Sequence, residues 1–207
     1  MNNGARCRLP LYAFVGFASM MWTTPAKAHL NSTGMGPFYD GLVHFLLSPE
    51  DIIPVLALAL LAGLRGARHG RRALFVLPIA WFVGALDGLS SVPANAHPFL
   101  AAAWFLLLGG LVAADANLSL RTMTAIAMLL GLYHGYLNGT GMGQSLSVMV
   151  ILVGLVCGVF VLIALTAAFV VRLDASWTRI AVRVSGSWIA ASGLLMLGWA
   201  VRGGGSA

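Results

Sequence analysis

Two pairs of residues stand out for their chemistry. Asp40 and His44 lie four residues apart in GMGPFYDGLVHFLLSPED (34–51), and His134 and Asn138 repeat that spacing in GLYHGYLNG (131–139). Four residues is about one helical turn, so each pair shares one face of a helix. Asp87 places another carboxylate in a separate apolar run. Imidazoles, carboxylates and an amide together form a ligand set for a first-row divalent ion such as Ni, Co, Zn or Cu. The same groups could relay protons, since His titrates near working pH. The plainer alternative makes Asp40 and Asp87 interfacial and leaves His44 and His134 as hydrogen-bonded packing residues.

The setting decides how much these residues mean. The chain has 207 residues, 59% of them apolar and 9% charged, with a mean hydropathy of +0.90. Soluble domains carry roughly a quarter charged residues, so this composition points to an integral membrane protein, all-α and a single domain. The net charge of +6 comes largely from arginines in short breaks beside apolar runs, where they set topology; nucleic acid is not an expected partner. Ionisable groups inside a bilayer cost several kcal/mol unless partnered, which makes each a functional candidate. Cys7 and Cys157 supply neither a disulfide framework nor a CxxC metal site. No phosphate loop, nucleophile elbow or HExxH motif occurs, and no enzymatic activity is expected.

Residues 1–28 read as a cleaved secretory leader: Arg6 and Arg8, an apolar stretch from Leu9 to Trp22, then Ala26-Lys27-Ala28. Residues 29–207 then form one transmembrane domain. Cleavage would make His29 the first residue, and its amine and imidazole add a further possible metal ligand.

Six apolar runs follow, near 37–64, 72–91, 98–116, 119–138, 144–172 and 179–201. Each is close to the ~20 residues that cross a bilayer as a helix. The first break, RGARHGRR (65–72), holds Arg65, Arg68, Arg71 and Arg72, the third supplies Arg121 and the fifth Arg172 and Arg179, whereas SSVPANAHP and LNGTGMGQS have none. Positive-inside orientation therefore puts both mature termini outside, with the chain in a bacterial inner membrane and its N-terminus periplasmic. Asp40, His44, Asp87, His134 and Asn138 then share the outer half of the bilayer.

The first run is irregular. Ser48-Pro49-Glu50-Asp51 resembles a fresh helix start with Pro at N1, so two pieces are expected, about 37–47 and 49–64. Glu50 and Asp51 read first as first-turn caps, although at a helix break they could face a cavity. His69, Asp115 and Asp174 are expected to be solvated, and Gly109, Gly110, Gly154 and Gly158 to allow close helix packing. LNSTGMG (30–36) recurs as LNGTGMG (137–143), expected as two Gly-rich outer turns, with Met35 and Met142 as possible soft ligands.

GPFYDGLVH (36–44), SPEDIIPVLALALLAGLRG (48–66) and GLYHGYLNG (131–139), with a leader and six spans, resemble the HupE/UreJ family of hydrogenase and urease accessory membrane proteins. That family's better-known branch carries a first-helix HPxxGxDH motif associated with nickel or cobalt uptake. Here Gly36-Pro37 stands in place of His-Pro, and Asp40 and His44 are a turn apart instead of adjacent, which marks a divergent second branch. The resemblance implies a permease for a divalent transition metal, Ni or Co foremost, that serves metalloenzyme maturation. Asp40, His44 and His134 are the residues it carries over. The competing expectation is a non-transporting assembly subunit of a metalloenzyme or cytochrome complex.

Overall fold

The computed structural model describes residues 33–91, 97–142, 146–173 and 176–203. The expected leader, His29 and Asp174 lie outside these residues. Every regular element among those described is a helix: α1 (Pro37–Leu47), α2 (Pro49–Leu64), α3 (Ala67–Leu89), α4 (Pro98–Ala113), α5 (Leu120–Met142), α6 (Val148–Val171) and α7 (Ser176–Gly203). Helices α3, α6 and α7 are long and apolar enough to cross a membrane, and α1 with α2 qualifies as one broken unit. α4 is apolar but shorter, whereas α5 has the length and trades hydropathy for glycines and polar groups.

The break falls where Ser48-Pro49 predicts it, and the two pieces meet at 75°. Its bonding differs from a simple N-cap. The Ser48 hydroxyl donates to the His44 carbonyl at 2.7 Å, satisfying a backbone acceptor that the end of α1 leaves open. Beyond the bend α2 is the buried centre of the bundle, with Val55, Ala57, Leu58, Ala59, Leu61 and Ala62 fully inaccessible. The other helices pack around it and against one another.

Glycines set the closest approaches. On α5, Gly131, Gly135 and Gly139 meet the α3 backbone at Leu77, Trp81 and Ala85, while Gly84 and Gly88 of α3 meet Leu132 and Tyr136. A side chain at any of these would enter a neighbouring carbonyl, so the small-xxx-small spacing is what lets the two backbones touch. The partners rise together in number, hence α3 and α5 run parallel. Gly41 of α1 and Gly154 of α6 stand opposite each other, each facing the carbonyl three residues before the other (Ile151 and Phe38), and Phe45 meets Gly158 one turn on, so this pair too is parallel. Gly109 of α4 meets Ala190 of α7, whereas Gly186 meets Ala113 and Gly193 meets Leu106, so this pair is antiparallel. Gly110, expected to pack, faces open space.

Several boundaries move. α3 begins at Ala67, which places His69, Arg71 and Arg72 on a helix instead of in a loop. His69 is half-buried with both ring nitrogens shielded, not solvated. The second copy of the echo does not form a turn, since residues 137–142 continue α5, whereas residues 33–36 of the first are irregular. In the first copy Gly34 and Gly36 adopt φ of 74° and 108°, and the Asp40 carboxylate accepts from the Thr33 amide and hydroxyl. In the second, Gly139, which stands where the first copy has Ser32, packs on Ala85 of α3, and the helix runs on through Gly141. Met35 is exposed and Met142 buried, so the two methionines occupy unlike surroundings.

Candidate metal-handling site

A polar network sits inside the bundle where α1, α2 and α5 converge, and Asp51 is its centre. This residue, read from sequence chiefly as a cap, is 4% exposed. Its Oδ1 lies 2.8 Å from His134 Nδ1, and its Oδ2 accepts from Asn138 Nδ2 at 3.0 Å. Asn138 Nδ2 also donates to the His134 carbonyl at 2.9 Å, which leaves Asn138 Oδ1 facing His44 Nε2 at 3.1 Å.

These contacts fix which atoms donate and which accept. The Asn138 amide nitrogen meets two acceptors, so its oxygen must accept, and His44 Nε2 must donate. An ionised Asp51 has only acceptors, so His134 Nδ1 must donate to it. In the neutral form of each imidazole these bonds leave the lone pair on His44 Nδ1 and on His134 Nε2, one at each end of the chain His44–Asn138–Asp51–His134. His134 is 4% exposed, and its Nε2 is buried without a hydrogen-bond partner among the described residues. Such an orphan costs free energy in an apolar interior unless something visits it.

Aromatic rings hold that imidazole in place. Trp81 of α3 stacks on His134 with centroids 5.4 Å apart and planes at 29°. Tyr133 meets it edge-on at 5.1 Å, and Phe45 of α1 packs edge-on against Trp81. The Tyr133 hydroxyl and Trp81 Nε1 are likewise buried without partners. Glu50, more exposed than Asp51, lies within electrostatic reach of Asp51, His134 and His44. Two carboxylates thus stand near two imidazoles, and Asp51 itself bonds to no lysine or arginine.

The structure brings His44, His134 and Asn138 together, residues the sequence joins by a common depth in the bilayer, and adds Asp51. It does not bring Asp40 or Asp87 to them. Asp40 is occupied with Thr33 at the start of α1, and Asp87 is exposed near the end of α3, one residue off the Gly84–Gly88 packing face. Sequence offered one signal for Asp51. Asp51, Val55, Leu58 and Ala62 lie at i, i+4, i+7 and i+11, so this acid continues the buried stripe of α2. Among the described residues, no group of three or more His, Cys, Asp or Glu side chains is arranged to hold a metal ion; the polar groups form a hydrogen-bonded chain.

At the opposite end of α2 the carboxylate is matched by cations. Asp115 follows α4 with φ of 49° and is bridged by Arg65 from the end of α2 and by Arg179 of α7, the latter at 2.8 Å. Arg183 donates to the Ala113 carbonyl at 2.9 Å. Asp115 is therefore a tie between three helices, not the free solvated acid expected.

No curated protein and no solved structure matches the chain. The family described as HupE / UreJ protein matches residues 17–196, a range that takes in α1 to α6, most of α7 and the whole polar network. With its buried apolar helices and glycine-locked pairs, the chain belongs to the HupE/UreJ family of helical membrane proteins.

Proposed function

We propose that this protein is a permease for a divalent transition-metal ion, with Ni or Co the expected cargo and Cu or Zn as alternatives, acting as an accessory to metalloenzyme maturation. The observation that carries this is His134: its Nδ1 is committed to Asp51 while its Nε2 stays buried and unpartnered. A metal-binding imidazole is typically set up in this way, since a carboxylate on one ring nitrogen fixes the tautomer and makes the other more basic. Asp51 is then a positioning group, and Asn138 fixes both Asp51 and His44. His44 Nδ1 offers another lone pair, and Glu50 supplies negative charge nearby. An incomplete ligand set suits a carrier, because an ion held by few protein groups and its own water can leave again.

In this reading the chain crosses the bacterial inner membrane six times with its mature N-terminus in the periplasm. Packing directions support that topology. Helices that would cross in the same sense (α3 with α5, α1 with α6) pack parallel, and the pair that would cross in opposite senses (α4 with α7) packs antiparallel. Trp177 and Trp199 on α7 are both exposed and 22 residues apart, about 33 Å along a helix, which matches two interfacial aromatic belts. The ion enters on the side of α1 and the Ser48 bend, and rearrangement of that bend passes it inward.

The test is uptake into proteoliposomes holding the purified protein. Wild type should accumulate Ni or Co, His134→Ala should lose uptake, and His44→Ala should weaken it. Equal uptake by wild type and His134→Ala would sink the assignment.

A further inference from the structure

We propose that the cleft between the first turns of α3 and α5 is a binding site for an anionic glycerophospholipid, whose phosphate is held by Arg68, Arg72 and Arg121. The glycines that lock α3 to α5 end at Gly131. Nearer the N-termini a cavity of about 570 Å³ opens between the helices, lined by these arginines together with Leu120, Ala125 and Met128.

Arginines in a cytoplasmic loop usually need no further explanation than topology. Here they divide into sets with different fates. Arg65 and Arg179 are neutralised by Asp115, and Arg183 is bonded to a backbone carbonyl. Arg68, Arg72 and Arg121 are exposed, and among the described residues none pairs with a carboxylate. Three unpaired guanidiniums from two helices thus surround one cavity. Arg68 and Arg72 lie one turn apart on one face of α3, which suits several oxygens of one phosphate.

The occupant is identified by what continues from the arginines. Seven residues beyond Arg72, on the same face of α3, stands Ile79, 62% exposed, and Val83 follows one turn later at 52%. On α5, Met128 stands seven residues beyond Arg121 and is 46% exposed. A soluble phosphate would use the guanidiniums and leave these side chains bare. A phospholipid uses both, with its head group at the arginines and its chains along Ile79, Val83 and Met128. The arginines lie at the far end of α3 and α5 from His134 and Trp81, so the head-group site stands independently of the metal reading.

The experiment is native mass spectrometry of the full-length protein released from detergent, titrated separately with phosphatidylglycerol and phosphatidylcholine, with inorganic phosphate as competitor. Wild type should retain phosphatidylglycerol preferentially, and inorganic phosphate should not displace it. The Arg68→Gln/Arg72→Gln/Arg121→Gln variant should bind about ten- to a hundred-fold more weakly. Arg71→Gln/Arg172→Gln removes two charges from a different cleft, between α3 and α6, and should leave the preference intact. Arg121→Gln alone should lose part of the affinity, so the test survives a triple variant that fails to fold. Equal retention of the two lipids, displacement by inorganic phosphate, or equal losses in the two multiple variants would overturn the proposal.

Discussion

The two ends of α2 handle charge in opposite ways. At its C-terminal end, Asp115 sits between Arg65 and Arg179, partly exposed, its charge more than matched. At its N-terminal end, Asp51 is buried and held by an imidazole and a side-chain amide, with a second carboxylate nearby and a further ring nitrogen on each of two imidazoles. A balanced cluster is a fastener. A buried cluster that keeps negative charge and open nitrogen ligands is stable only if it is expensive or visited, and the visitor it suits is a cation.

That contrast can be broken in several places. The largest effect should come from Gly135→Leu. The new side chain would enter the Trp81 carbonyl, separate α3 from α5 and dismantle the site end, at a cost of about 3 kcal/mol or more. Yield of monodisperse protein and thermal unfolding would show it, and Gly110→Ala, with open space around it, serves as the neutral control. Next comes Asp51→Asn, which keeps the shape but loses the carboxylate that orients His134. Metal affinity should fall by about ten- to a hundred-fold, read by equilibrium dialysis with Ni or Co.

Asp115→Asn should do the reverse. It should leave metal affinity unchanged and lower stability by about 0.2–1 kcal/mol, less in high salt, because the cluster is partly exposed. Its pH dependence has a definite sign. The hydrogen bond from Arg179, aided by the charges of Arg65, Arg179 and Arg183 against the opposing effect of burial, holds the Asp115 carboxyl below its ordinary value of 3.8. A lowered folded-state value stabilises the fold above that pH, and the contribution fades as pH falls below it. Unfolding midpoints measured from neutral pH down to about pH 3 should therefore drop less in Asp115→Asn than in wild type at the acid end. The smallest effect is expected for Asp40→Asn, which removes a charge only from the Thr33 contact and should leave uptake at the wild-type level.

Much of this was legible in the residues, and the omissions have physical causes. Ser48-Pro49 signalled the break because Pro cannot continue α1 with its donor intact, and both helical pieces end where expected. His134 and Asn138 were legible as a pair because spacing is a property of one helix. Asp51 was obscured because an acid in a first turn normally faces the helix dipole and water; only the apolar stripe below it shows that this one points inward. Asp87 was misleading for the complementary reason. Depth in the bilayer is readable from a span, but the direction a side chain takes depends on which face packs, and here Gly84 and Gly88 turn Asp87 away. The repeated LNxTGMG shows the limit most plainly, since its Thr-Gly-Met is irregular at 33–35 and helical at 140–142.

The central claim is that His134 Nε2 meets a metal ion. X-ray absorption at the cobalt edge, on purified protein loaded with Co, reads this directly through the outer-shell scattering of imidazole rings. The account predicts imidazole scattering in wild type that is reduced in His134→Ala at equal loading, or a variant that takes up no Co. Wild type that binds no Co above background, or a spectrum unchanged by His134→Ala, would contradict it.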